Sequence, residues 1–197
     1  MIKALLIDLD GVIRHWPSDD PEFLNRFGVS LAEVKKTAFS EALLIPAITG
    51  QITDEEWREK IVLQLLIAGI DKAADAVSAW SEGAGEVDHR MIGRVQSLRQ
   101  KLKVVLVTNA TTRLERDLAA LDLSESFDGV INSSRVGFAK PRQEIFEAAL
   151  HSIGAEAEEA LFVDDTPANG TAAQALGIAS HQFQGEEGFK AFVNESV

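Results

Sequence analysis

The sequence predicts an α/β protein, a doubly wound Rossmann-like parallel sheet with an inserted helical cap. Three observations support this fold. The chain begins with a short apolar run that ends in acidic residues, residues 18–89 show helical patterns almost throughout, and residues 90–197 alternate apolar strands with amphipathic helices. Such alternation is typical of βαβ units around a parallel sheet. We therefore predict a core formed by residues 1–17 and 90–197 and a cap formed by residues 18–89.

The first strand is the apolar run that begins at Leu5 and ends where Asp8 and Asp10 follow, before Gly11. After it, the inserted segment carries two capping boxes, which begin at Ser30 and Thr53 and mark helix starts. The helices predicted for this segment are 21–27, 31–44, 54–67 and 72–81, with a turn at Thr49-Gly50-Gln51.

The second part of the core continues the alternation. The predicted strands are 103–107, 129–132 and 160–163, and the predicted helices are 90–101, 112–121, 141–153 and 167–176. Gly154 and Gly177 occupy positions typical of helix C-termini, and Pro141 and Pro167 occupy positions typical of a first helical turn.

Composition excludes several classes of function. There are 19 Lys and Arg residues against 31 Asp and Glu residues, a formal charge of −12, which argues against broad contact with nucleic acid or anionic membranes. The chain has no cysteine, so disulfides, thiolate metal sites and cysteine nucleophiles are excluded. The N-terminal apolar run is too short for a signal peptide or a membrane span, and we expect a cytoplasmic protein. Nothing in the sequence indicates the oligomeric state.

Polar side chains follow each predicted strand of the core, at the edge where doubly wound sheets bind ligands. The candidates at this edge are Asp8, Asp10, Thr108, Asn109, Lys140, Asp164 and Asp165. Carboxylates are the ligands that Mg²⁺ prefers, and a lysine, a hydroxyl and backbone amides can bind a phosphoryl group. The set therefore suits Mg²⁺ and phosphate chemistry.

In the order and spacing of these motifs, the sequence resembles the haloacid dehalogenase superfamily of phosphohydrolases. The motifs are Asp8-Leu9-Asp10-Gly11-Val12, the strand ending in Thr108-Asn109, Lys140-Pro141, and Phe162-Val163-Asp164-Asp165 with Asn169 beyond. The resemblance covers essentially the whole chain, because the helical insertion looks like the first-position (C1-type) cap of that family.

The resemblance implies an aspartyl-phosphate mechanism, with Asp8 as nucleophile and Asp10 as general acid and base. It implies that Mg²⁺ is held by Asp8, the main-chain carbonyl of Asp10 and one acid of the last motif. Asp165 is the expected direct ligand, and Asp164 is expected to support it. The residues expected to bind the phosphate are Thr108, Asn109 and Lys140.

The aspartate at position 10 also favours one activity within the superfamily. Members that displace halide typically lack an aspartate there, and the phosphonate-cleaving branch departs from it too. We therefore predict a Mg²⁺-dependent phosphatase that hydrolyses a small phosphorylated metabolite, with a phosphomutase as the alternative. A non-catalytic receiver-like phospho-switch is disfavoured, because such domains lack a large helical insertion and the pair Asp164-Asp165 comes late in this chain.

Substrate selection is expected to lie in the cap and in the segment after the first strand. The candidate specificity residues are Arg14, His15 and Gln51. Trp57 and Trp80 fall on helical patterns and are expected in the core of the cap. Asn169 is expected to hold the loop of the last motif by local hydrogen bonds.

Overall fold

The structure is a computed structural model that describes residues 1–16 and 20–197. Its strands are β1 (Ala4–Ile7), β2 (Arg14–His15), β3 (Glu86–Val87), β4 (Lys103–Thr108), β5 (Gly129–Asn132), β6 (Ala160–Asp164) and β7 (Ala179–Gln182). Its helices are α1 (Phe23–Phe27), α2 (Leu31–Ala38), α3 (Glu41–Ile48), α4 (Asp54–Ile67), α5 (Ala73–Ser81), α6 (His89–Leu98), α7 (Leu114–Ala120), α8 (Ser133–Val136), α9 (Gln143–Ile153), α10 (Pro167–Ala175) and α11 (Glu186–Ser196).

Five strands form one parallel sheet in the order β5-β4-β1-β6-β7. Strand β1 lies at its centre, where Leu5 pairs with Val104 on one side and with Leu161 on the other. Along the sequence, β4 and β5 are added on one side of β1, and β6 and β7 are then added on the other side. The direction in which strands are added therefore reverses at β1. This topology confirms the predicted doubly wound fold and brings the carboxyl ends of β1, β4 and β6 to one edge.

Helices cover both faces of the sheet. Leu5 and Ile7 point to one face and join an apolar cluster with residues of α6, α7 and α11. Leu6, between them, points to the other face and joins a cluster with residues of α9 and α10. Because both faces of the central strands β1, β4 and β6 are buried, these strands are continuously apolar rather than alternating, which is why their positions could be predicted.

Helices α1 to α5, called here the helical segment, enclose a third apolar cluster that includes Trp57 and Ile61. Both predicted capping boxes form, with the Ser30 and Thr53 hydroxyls each accepting a backbone N–H bond at 3.2 Å. Where this segment leaves and rejoins the core, β2 and β3 pair as a small antiparallel sheet. The predicted boundary between residues 17 and 18 lies outside the described residues.

The helix predicted over 31–44 is wrong in its extent, since α2 ends at Ala38 and α3 begins at Glu41. Ser40 lies between them in an extended conformation, and its hydroxyl donates to the carbonyl of Thr37, which competes with helix continuation. Pro141 does not begin a helix either, because α9 starts at Gln143.

No prediction covers β7 or α11. Strand β7 consists of Ala-Ser-His-Gln at the edge of the sheet and carries no apolar run that would mark a strand. The other predicted helices and strands form close to their expected bounds, and Pro167 stands in the first turn of α10 as predicted. Within the described ranges, no helix combines the length and the hydropathy needed to cross a membrane.

Candidate active site

Asp8 directly follows β1 and is buried. Its Oδ1 accepts a hydrogen bond from the backbone N–H of Leu9 at 2.8 Å and lies 2.7 Å from the Lys140 ammonium. Burial raises the pKa of Asp8 from 3.8 to about 7; Lys140 opposes this shift and the neighbouring Asp164 adds to it. Without a bound metal ion, ionising this carboxylate in the folded protein therefore costs free energy, even with Lys140 beside it.

Lys140 is buried between two carboxylates. Its Nζ lies 2.7 Å from both Asp8 Oδ1 and Asp164 Oδ2 and donates to the carbonyl of Val107 at 2.8 Å. The side chain of Asn109 holds the lysine backbone, because its Nδ2 donates to the Lys140 carbonyl at 2.9 Å and its Oδ1 accepts from the Lys140 N–H at 2.7 Å. The Asn109 amide thus positions Lys140, and the lysine offsets part of the negative charge at the sheet edge.

The two acids after β6 differ in their surroundings. Asp164 is buried and accepts hydrogen bonds from the Asn169 side chain at 3.0 Å and from the Thr166 N–H at 2.8 Å, in addition to its ion pair with the lysine. Asp165 is exposed, and among the residues that the structure describes its carboxylate accepts only from the Thr166 hydroxyl, at 3.1 Å. Asn169 therefore holds this loop as predicted, and Asp165 keeps oxygen available to a ligand.

Gly11 allows Asp165 to approach the first motif. A Cβ atom at Gly11 would lie 2.1 Å from Asp165 Oδ2, and Gly11 has a φ of +80°, which favours glycine. Asp8, Asp164 and Asp165 each place one carboxylate oxygen within 4.8 Å of the others. An all-oxygen set of this kind suits a hard divalent cation.

The side chain of Asp10 is not one of the three carboxylates of this cluster. Its carboxylate accepts both Arg14 Nε at 2.7 Å and Arg14 Nη2 at 2.9 Å, and its Oδ1 also accepts from Trp16 Nε1 at 2.7 Å. The buried guanidinium of Arg14 in turn lies 3.3 Å from Asp117 Oδ2. Arg14, a candidate specificity residue, thus holds Asp10 by a bidentate ion pair.

Two cavities open at this edge. The smaller, of 290 Å³, is lined by Asp8, Thr108, Lys140 and Asp165 among others. The larger, of 720 Å³, extends from Asp10 beneath the helical segment. His15 and Gln51 are not among the described residues that line them: His15 is half-exposed near Asp88, and the Gln51 amide donates to Thr49.

Sequence reasoning missed Trp16 and Asp117 as neighbours of the first motif. Trp16 lies six positions after Asp10, with no motif to connect them, and Asp117 reaches Arg14 from α7 across more than 100 residues of sequence. The only available signal was the proximity of Arg14 and Trp16 to the first motif.

Comparisons with known proteins agree with this geometry. Residues 2–177 match the family model of haloacid dehalogenase-like hydrolases. A sesquiterpene phosphatase from Aspergillus oryzae is 29% identical over 179 residues, which cover 89% of this chain and 87% of that protein. A D-ribitol-5-phosphate phosphatase from Bacteroides thetaiotaomicron is 25% identical over 95% of this chain and 94% of that protein.

A crystal structure of a haloacid dehalogenase family enzyme from Bacteroides thetaiotaomicron, in complex with magnesium, superposes with a TM-score of 0.79. The identity is 25%, and the match covers 97% of this chain and 98% of that one. The same enzyme was also solved with magnesium and inorganic phosphate. The predicted magnesium cofactor agrees with these complexes and with the acidic cluster of Asp8, Asp164 and Asp165. The chain therefore belongs to the family of haloacid dehalogenase-like hydrolases, as its motifs predict.

Proposed function

We propose that this protein is a Mg²⁺-dependent phosphatase that hydrolyses a small phosphomonoester through an aspartyl-phosphate on Asp8. The observation that carries the proposal is the convergence of Asp8, Lys140 and Asp165 around one cavity at the sheet edge. The phosphatase names of two relatives, each matched over most of its length, support the same reaction class.

Asp8, Asp165 and the main-chain carbonyl of Asp10 would hold Mg²⁺. Asp165 suits direct ligation because its carboxylate is exposed, whereas the oxygens of Asp164 already accept hydrogen bonds from Lys140, Asn169 and a backbone amide. When bound, the ion would offset the repulsion between the aspartate nucleophile and the phosphate anion. A phosphate in the same cavity would also face the Lys140 ammonium, the Thr108 hydroxyl and the backbone amide of Asn109.

The chemical work of the chain then divides between two aspartates. A carboxylate oxygen of Asp8 attacks phosphorus, and the bond between phosphorus and the leaving oxygen breaks. Asp10 gives a proton to that oxygen and later removes one from the water that attacks the phosphoryl group, which regenerates Asp8. Arg14 holds the Asp10 carboxylate in position for both proton transfers.

We further propose that residues 18–89 act as a cap over this edge. The described helices of that range supply much of the wall of the larger cavity, and β2 and β3 tie the segment to the core. A cover of this kind excludes water from the acyl-phosphate until the leaving group has departed. A cytoplasmic location and the absence of nucleic-acid or membrane partners remain predictions from the sequence.

Phosphate release from a panel of metabolite esters, measured with and without Mg²⁺, tests the proposal. We expect release only with Mg²⁺, its loss in Asp8→Asn, and no change in Asp71→Asn, a matched substitution at an exposed aspartate that lines neither cavity. Asp10→Asn should slow alkyl esters by about 10²–10⁴-fold, and esters of acidic phenols much less, because a good leaving group needs no proton. Full activity in Asp8→Asn, or no release from any ester, would refute the mechanism.

A phosphomutase would use the same aspartyl-phosphate but return the group to a second hydroxyl. Tracing labelled phosphate from the substrate distinguishes the two activities. We expect the label in inorganic phosphate, and label recovered in an isomeric ester would identify a mutase.

A further inference from the structure

The larger cavity continues directly from the site of phosphate chemistry. It has a volume of 720 Å³ and shares Asp10 and Asn109 with the 290 Å³ cavity around Asp8. An ester whose phosphorus lies near Asp8 would have its leaving oxygen near Asp10 and the rest of its leaving group in the larger cavity. Its volume is within the range of about 300–1,000 Å³ that is typical of small-molecule sites.

The wall that the helical segment gives this cavity is largely apolar. Its main apolar side chains are Phe23, Leu31, Phe39, Leu44, Trp57 and Trp80. Phe39 stacks on Trp57 with ring centroids 6.4 Å apart and meets Trp80 edge-on at 5.8 Å. Even so, 53% of Phe39 remains exposed. Trp57 and Trp80 contribute to the helical core as predicted, but they also form part of this wall.

Several charged groups that line the cavity are already paired. Arg113 lies 2.8 Å from Asp117 and donates to the carbonyls of Ser81 and Gly83. The Arg14 guanidinium is shared between carboxylates, as described above, and Arg26 pairs with Asp20 on another part of the lining. A polyhydroxylated leaving group would need polar partners to replace its hydration, and the paired groups are less able to supply them.

From this lining we infer that the substrate is the phosphate monoester of a large apolar alcohol, aliphatic or isoprenoid, whose hydrocarbon body packs against Phe39, Trp57 and Trp80. The inference rests on the proposed phosphatase function and specifies its leaving group. An apolar body gains affinity by leaving water for such a wall, whereas a sugar alcohol does not.

Primary alkyl phosphates of two to ten carbons, assayed with Mg²⁺ below their micelle concentrations, test this inference. We expect kcat/KM to rise by about fourfold per added methylene until the cavity is filled. D-ribitol 5-phosphate should be a poorer substrate than the decyl ester. Binding of the matching alkyl phosphonates, followed by tryptophan fluorescence, should strengthen with chain length in the same way and does not depend on turnover.

Phe39→Ser should flatten the dependence on chain length, because it removes an exposed apolar surface from the wall. Leu63→Ser is the matched control, since Leu63 is 56% exposed on α4 but does not line the cavity, and it should keep the wild-type dependence. Hydrolysis of all esters with no dependence on chain length, or a preference for D-ribitol 5-phosphate, would overturn the inference and leave the phosphatase proposal standing. No hydrolysis of any ester would overturn both.

Discussion

Replacing the proposed nucleophile should stabilise the metal-free protein. Because burial raises the pKa of Asp8 from 3.8 to about 7, the folded protein binds a proton there that the unfolded chain has already released above pH 4. The stabilisation that this bound proton gives the folded protein is fully present below pH 4. It decreases as the pH rises towards 7 and is constant above that. Asp8→Asn cannot ionise and so avoids this loss.

The pKa shift sets the size of the effect. The advantage of Asp8→Asn over the wild type should be about 2 kcal/mol at pH 5 and about 4 kcal/mol at pH 8, the latter an upper bound. Urea denaturation with a metal chelator at these two pH values measures it. Asp165→Asn, which removes an exposed carboxylate from the same edge, is the matched control for the loss of one acidic side chain. An equal advantage at both pH values, or a wild type more stable at pH 8, would refute the reasoning.

Two further substitutions probe the metal site. Gly11→Ala should weaken Mg²⁺ binding by at least tenfold in calorimetry, because its Cβ would displace Asp165 from the first motif; Gly28→Ala, where φ is +73° but nothing lies within 4 Å, should keep the wild-type affinity. Asn169→Ala removes the two hydrogen bonds that the Asn169 amide donates to Asp164, and it should lower Mg²⁺ affinity by about 10–100-fold. Unchanged affinity in either variant would show that the carboxylate concerned is placed by other contacts.

The parts of the fold that follow from local pattern were predictable. The buried strands are continuous apolar runs, and Ser30 and Thr53 mark helix starts through bonds to their own first turns. The placement of Asp8 and Asp164 at one edge of the sheet was predictable, because each stands directly at a strand end. The carboxyl ends of parallel strands lie at the same edge of the sheet, so residues that follow different strands in the sequence lie close together in space.

The pairing of Asp10 with Arg14 and Trp16 could not be predicted, because it depends on how the chain turns after β1. The contact from Asp117 depends on the packing of α7 against that turn, which no local pattern encodes. The larger cavity could not be predicted from the sequence either. Its wall combines residues of six helices, and an apolar residue of an amphipathic helix has the same pattern whether it faces a core or a cavity.

The central place of β1 has a consequence for how the protein is made. This strand is synthesised before both of its partner strands, since Ala4 pairs with Lys103 on one side and with Ala160 on the other. A nascent chain that does not yet include β4 and β6 carries β1 as an unpaired apolar strand, and such strands favour aggregation. Asp165 also emerges after this point, so a growing chain cannot assemble the acidic cluster. We therefore expect chaperone dependence during synthesis, and hydrolytic competence only in chains extended past β6.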